Sequence, residues 1–282
     1  MKRSNLREFE TALTVSGKSR STVHSYTACV RDFLRFAGVN LSRLRRDHVA
    51  QFLVHLAEER RHEPSTVKVY VYAIRFLFEV TLDRADVVEN LKAPRVTPKP
   101  ILVLSPDEVL QFFEAFHSRV HRTIACLLYA TGLRVGEALA LTVHDIDAKR
   151  GVIAVHNTKV RRPRFVRHSK ALLELLRNYC RDSRPPVPFL FPGRDPTVPL
   201  NQSTVQGAFQ AAARDARLHK TVTPHILRHT YATHLLEGGV DIHTVQLLLG
   251  HANIAATLRY LHVSTAHLAG RNIELHPLLA DR

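Results

Sequence analysis

No apolar run in the chain approaches the roughly 18 residues that a bilayer span requires. The first ten residues, MKRSNLREFE, carry charges where the apolar core of a secretory signal would lie. Both absences argue against a membrane protein and predict an intracellular one. Cysteine is scarce: Cys29, Cys126 and Cys180 are odd in number and widely spaced. That pattern fits neither a disulfide framework nor a zinc motif, and it predicts three reduced structural thiols. There is also no glycine-rich phosphate loop, no HExxH and no acidic cluster of the kind that holds magnesium. Metal-dependent nuclease chemistry is therefore not expected, and neither a metal nor a cofactor is called for. Internal repeats and low-complexity stretches are missing too.

What the chain has in excess is positive charge. Over 282 residues, 40 Lys and Arg face 25 Asp and Glu, a formal net charge of +15. The excess is spread along the chain, with 17 against 11 in residues 1–96 and 23 against 14 in residues 97–282. Such a balance in an intracellular protein points to a polyanionic partner, most simply nucleic acid.

The segment KAPRVTPKP, Lys92 to Pro100, interrupts the apolar periodicity with three prolines and three basic residues. It divides the chain into a helical domain over 1–92, a linker over 93–100 and a second domain over 101–282. Upstream, three segments repeat apolar residues at helical spacing. The first has Val23, Tyr26, Val30, Phe33, Leu34 and Phe36 as its stripe and Gly38 as its stop. Thr22, His24, Ser25 and Thr66 lie near helix starts, where they could reach phosphates or simply cap. Downstream, Ser105, Pro106 and Glu108 form a helix start with a capping box. RTIACLLYATG reads as a buried helix ending at Gly132, and LRVGEALALTVHDID resumes helical spacing. VIAVHNTKVRRPRFVRH alternates on both sides of a polar turn and predicts a hairpin or small sheet. The expected fold is mainly α with that small β element.

The densest chemistry lies in TPHILRHTYATHLLEGG. Thr223 can cap a helix whose first turn holds Pro224, placing His225 and Arg228 near an end where backbone N–H groups favour an anion. His225 and His229 stand four apart, a spacing zinc accepts, but no carboxylate or thiolate ligand is nearby. ATGLRVGEALAL contributes Arg134 and Glu137, the hairpin contributes Lys159, LLGH contributes His251 and ATLRYLHV contributes Tyr260. Breaking a phosphodiester without a metal needs protein cations on the non-bridging oxygens, and a guanidinium fork suits that task better than an ammonium. Arg134 and Arg228 are the candidates. Glu137, one turn after Arg134, is placed to orient an arginine or histidine, and His229 to support the site by hydrogen bonding in the core. His234 and Tyr231 read as structural.

These motifs, in this order over Leu104 to Val263, resemble the catalytic domain of the tyrosine recombinases, the phage-integrase and Xer-like site-specific DNA recombinases. The nine-residue step from His251 to Tyr260 is similar to that family's spacing, and the N-terminal segment is similar to its core-binding, SAM-like domain. The resemblance implies a two-domain clamp on DNA and a cytoplasmic, nucleoid-associated enzyme of prokaryotic type. It implies Tyr260 as nucleophile, a 3′-phosphotyrosyl intermediate formed without metal or ATP, and Lys159 as the proton donor to the departing 5′-oxygen. His225 is then the acid/base partner of Tyr260, and His251 donates to a non-bridging oxygen. Arg161, Arg162 and Arg164 are expected to grip the DNA backbone. The implied partner is double-stranded DNA with inverted half-sites, bound by a homotetramer whose apolar C-terminal tails dock in trans. Little chain precedes the helical domain, which leans toward a simple Xer-like plan. Two other readings compete: a type IB topoisomerase, and a DNA-binding accessory protein that keeps the fold without the reaction.

Overall fold

The computed structural model describes residues 3–97, 100–156, 164–251 and 253–260. The chain forms two compact units, Met1–Lys99 and Pro100–Arg282. In the first, helices α1 (Arg3–Val15), α2 (Arg20–Ala37), α3 (Arg46–Val54) and α4 (Pro64–Phe76) surround one apolar core. Ser19 caps α2 by accepting from the Thr22 N–H, and Gly38 ends it in the left-handed conformation. α3 and α4 each continue into a wider π turn, at His55–Glu59 and Leu77–Thr81. Phe9 and Leu13 of α1, Val30 and Phe33 of α2, Phe52 of α3 and Ile74 of α4 are buried together. Helix α1 is not among the segments read from the sequence, although Leu6, Phe9 and Leu13 do keep helical spacing. Phe36, expected in the α2 stripe, is instead 38% exposed. The inward face runs through Val30, Phe33 and Leu34, and Phe36 leaves it to pack, tilted, against the rings of Phe52 and His55.

The second unit is also mainly helical. α5 (Pro106–Glu114) starts with the reciprocal Ser105 and Glu108 bonds of a capping box. α6 (Arg119–Thr131) ends at Gly132, which is left-handed. α7 (Val135–Leu139) is much shorter than the helical spacing after it suggests. Thr142 and Asp145 bond each other across a tight turn, and the chain leaves it as a strand, β1 (Ile146–Asp147). β1 pairs antiparallel with β2 (Val152–Val155), which pairs antiparallel with β3 (Arg164–Arg167). The expected hairpin is thus part of a three-stranded sheet, in register Ile153 opposite Val166 and Val155 opposite Arg164. α8 (Lys170–Ser183) and α9 (Gln202–Asp215) follow. α10 (Pro224–Glu237), capped by Thr223, packs on α6 and buries Leu227, Tyr231 and Ala232. His234 reaches Tyr129 of α6 with Nδ1 2.8 Å from the phenol oxygen, a structural bond between the two helices. α11 (Ile242–Leu249) ends at left-handed Gly250, and α12 (Ala255–Leu258) leads to Tyr260.

Candidate active site

Two glycine-ended helices deliver the first residues. At Gly132 the chain turns off α6, so Arg134 emerges two residues later as the N-cap of α7. At Gly250 it turns off α11, so His251 comes directly after the cap. In both places a left-handed φ, +63°, is one that side-chain-bearing residues rarely adopt.

Arg228 joins these two turns. Its guanidinium donates to the Gly132 carbonyl at 2.5 Å and to the Leu249 carbonyl at 2.6 Å. The side chain is 1% exposed, which differs from the anion-facing position expected at the start of α10. The reason is rotational. His225 faces out of the first turn, whereas Arg228, three residues on, points between α6 and α11, where carbonyls at helix ends attract a cation. Each terminal nitrogen has a second N–H, so the clamp does not exhaust the fork. Burial and the neighbouring Arg134 charge push its pKa down to about 10, and it stays charged at neutral pH.

Arg134 is the more open cation, its side chain 46% exposed. Glu137 holds it at 3.0 Å and also accepts from the Arg134 backbone N–H at 2.8 Å. The other face of the same carboxylate is taken by Arg164, with two parallel bonds of 2.9 and 2.8 Å. Burial alone would raise the Glu137 pKa; the Arg164 bonds, the Arg134 N–H and both guanidinium charges bring it down to about 2. Arg164 therefore does not stand with the expected backbone-gripping arginines. The alternation of β3 turns it inward with buried Val166, leaving Phe165 and Arg167 exposed. Lys159, Arg161 and Arg162 lie outside the described residues.

Tyr260 is 2% exposed, and its hydroxyl lies 2.8 Å from Nδ1 of His229. The expected partner was His225. That ring instead packs edge-on against His229, centroids 4.2 Å apart, one turn nearer the exposed start of α10. The turn after Gly250 brings Tyr260 level with the second helical turn, so the imidazole that meets it is His229. His251 lies nearly parallel to the Tyr260 ring at 6.4 Å, and its Nδ1 is 2.9 Å from the Thr257 hydroxyl. Partial desolvation is the main cause of depressed basicity in the half-buried His229 and His251; for the more open His225, desolvation of the ring face packed on His229 acts together with the charges of Arg228, Arg134 and Arg259. His229 falls to about 4, helped by His225 and Arg259, and His251 to about 4, helped by Arg228 and Arg134. Both are neutral at pH 7. Burial raises the Tyr260 phenol, against the lowering effect of Arg228, Arg259 and Arg134. Among the described residues no group of three or more His, Cys, Asp or Glu is gathered as a metal would need, and no helix is long and apolar enough to cross a membrane.

Residues 103–267 match the Phage integrase family, and residues 6–85 match the N-terminal SAM-like domain of phage integrases. The putative integrase/recombinase y4qK of Sinorhizobium fredii is 40% identical, over 90% of this chain and 82% of its own length. Tyrosine recombinase XerA of Pyrococcus furiosus is 34% identical, over 93% of this chain and 91% of its own. Among solved structures, XerA recombinase superposes with a TM-score of 0.54 at 28% identity, covering 95% of this chain and 99% of its own. A lambda integrase dimer bound to a core site gives 0.74 at 20% identity, covering 96% and 79%. The post-cleavage complex of XerH with palindromic difH gives 0.71 at 21% identity, covering 87% and 77%. With both the sequence matches and the assembled cluster in place, the chain belongs to the phage integrase family and is a tyrosine-type site-specific DNA recombinase.

Proposed function

We propose that Tyr260 cuts one strand of a recombination site and that Arg134, Arg228, His225, His251 and Lys159 serve the transfer. The observation that carries this reading is the buried Tyr260 hydroxyl on His229, beside His251 and the Arg228 guanidinium. In the step, the phenolic oxygen forms a bond to phosphorus as the bond from phosphorus to the 5′-oxygen breaks. The phenol loses its proton and the 5′-oxygen gains one, Lys159 being the donor. Arg134, at the open edge, binds a non-bridging oxygen. Arg228 supplies a fixed positive charge behind it, already oriented before substrate arrives. His251, neutral at pH 7, donates a hydrogen bond. His225 is the exposed acid/base group, and the phenol proton reaches it only after Tyr260 is released from His229 or through that ring. The phosphodiester energy is kept in the tyrosyl link, so the strand can be rejoined without ATP.

The partner is double-stranded DNA with inverted half-sites, clasped by both units. The palindromic substrate of XerH supports that symmetry. Exchange between two duplexes needs one active site per strand, hence a homotetramer on DNA. The segment after Tyr260, outside the described residues, is read as the docking tail between subunits.

The test begins with footprinting on DNA flanking the gene, to recover the half-sites. The site is then nicked near the cut so that the released strand is lost. A denaturant-resistant protein–DNA adduct is expected, absent in Tyr260→Phe. No adduct on a site the protein binds would overturn the reading.

A further inference from the structure

Arg164 and Arg167 share β3, yet only Arg167 is exposed. The Arg164 side chain is 16% exposed, and its guanidinium closes on Glu137 through a two-bond fork. The same Glu137 carboxylate holds Arg134. The stem of Arg164 lies against Gly250, where an added Cβ would come within 2.8 Å of Cδ, 2.9 Å of Nε and 3.1 Å of Cζ. Arg164 thus touches both the carboxylate that orients Arg134 and the cap that precedes His251, and it does so from the strand directly after the segment carrying Lys159.

We infer that Arg164 is a positioning residue for strand cleavage, which sets the Arg134 guanidinium through Glu137 and the His251 turn through Gly250. The inference rests on the roles proposed above for Arg134 and His251. A lysine would keep the charge but not the fork, because an ammonium cannot match both carboxylate oxygens in one plane. Without Arg164, Glu137 would bind Arg134 alone and pull its donors away from a phosphate.

The experiment compares full-length protein, R164A and R164K in single-turnover adduct formation on the nicked site. Both variants are expected to lose about 10- to 100-fold in rate, the usual cost of removing a group that orients a functional side chain. Site affinity and its salt dependence should be unchanged. A second substrate carries a methylphosphonate at the scissile position, where one charged non-bridging oxygen is replaced by methyl and a cation matters less. On it, the deficit of R164A should shrink by at least tenfold. Full activity in R164K would overturn the inference. So would a salt slope lower by about 1 in R164A, the mark of a lost phosphate contact. An equal deficit on both substrates would overturn it as well, showing general support of the fold. If R164A does not fold, R164K decides by the same comparisons. No adduct from the unaltered protein would instead bring down the strand-cleavage reading itself.

Discussion

Replacing Glu137 by Gln tests the charge network where it is most concentrated. The carboxylate is 10% exposed and receives three guanidinium bonds and one backbone bond. Its pKa lies at about 2 against an ordinary 4.5. At roughly 1.36 kcal/mol per pKa unit, that difference corresponds to about 3 kcal/mol of stability at pH 7. Removing one partner of a buried pair costs a similar amount, about 3–5 kcal/mol. Gln keeps the volume, but its amide nitrogen can only meet the arginine donors with more donors. Urea titration followed by circular dichroism should therefore place E137Q about 3 kcal/mol below the unaltered protein at pH 7. The sign with pH follows from a depressed carboxylate. Its contribution is complete above the unfolded value and fades as pH falls toward the folded one, so by pH 3.5 the gap should narrow to about 2 kcal/mol. A gap under about 1 kcal/mol at pH 7, or one that widens on acidification, would refute the network as drawn.

Gly132→Ala should destabilise the catalytic unit by about 2–4 kcal/mol, from left-handed strain and overpacking together. Its Cβ would sit 2.4 Å from the Tyr231 ring and 3.1 Å from Leu249, and thermal unfolding would measure the loss. Tyr260→Phe should lower stability by about 1 kcal/mol, one hydrogen bond, while abolishing the adduct; chemical denaturation of that variant separates the two effects. His229 and His251 are half-buried and held as neutral rings, so the unfolded chain takes up their protons first as pH falls. Stability should drop from about pH 6.5 to about 4, and a His229→Gln, His251→Gln double variant should show a shallower drop over that window in the same titration.

Local signals are legible in the sequence where they act locally. Thr223 with Pro224, Ser105 with Glu108, and the glycine stops at 38 and 132 each depend on a few adjacent residues, and each element begins or ends there. The contacts that local spacing does not reveal are long-range. Arg164 meets Glu137 across 27 positions, and only the register of β3 decides that it turns inward. A clue was available: in RFVR an inward Val166 forces Arg164 onto the same face, leaving Phe165 outside. His229 and Tyr260 are 31 positions apart. Helical spacing put His225, Arg228 and His229 near one end of α10, but the turn between Gly250 and Tyr260 chose which imidazole received the phenol. The short α7 is hidden in the sequence because apolar spacing continues through Leu141, whereas the helix closes at Ala140 and the Thr142–Asp145 bonds open a separate turn.

The burial of Arg228 gives a physical reason for the three motifs to occur as a set. A guanidinium that is 1% exposed needs acceptors, and the ends of α6 and α11 supply two unpaired carbonyls, Gly132 and Leu249. Each of those ends is turned by a left-handed glycine, and each turn releases a functional side chain at once: Arg134 after Gly132, His251 after Gly250. Satisfying one buried arginine therefore fixes the separation of the open cation and the neutral donor. Were Arg228 replaced by lysine, a single ammonium would have to reach both carbonyls without the planar spread that spans them, and the two turns would lose their common tie. TGLR, HILRH and LLGH are three parts of one hydrogen-bonded joint, and Tyr260 is brought to it by the short helix that follows.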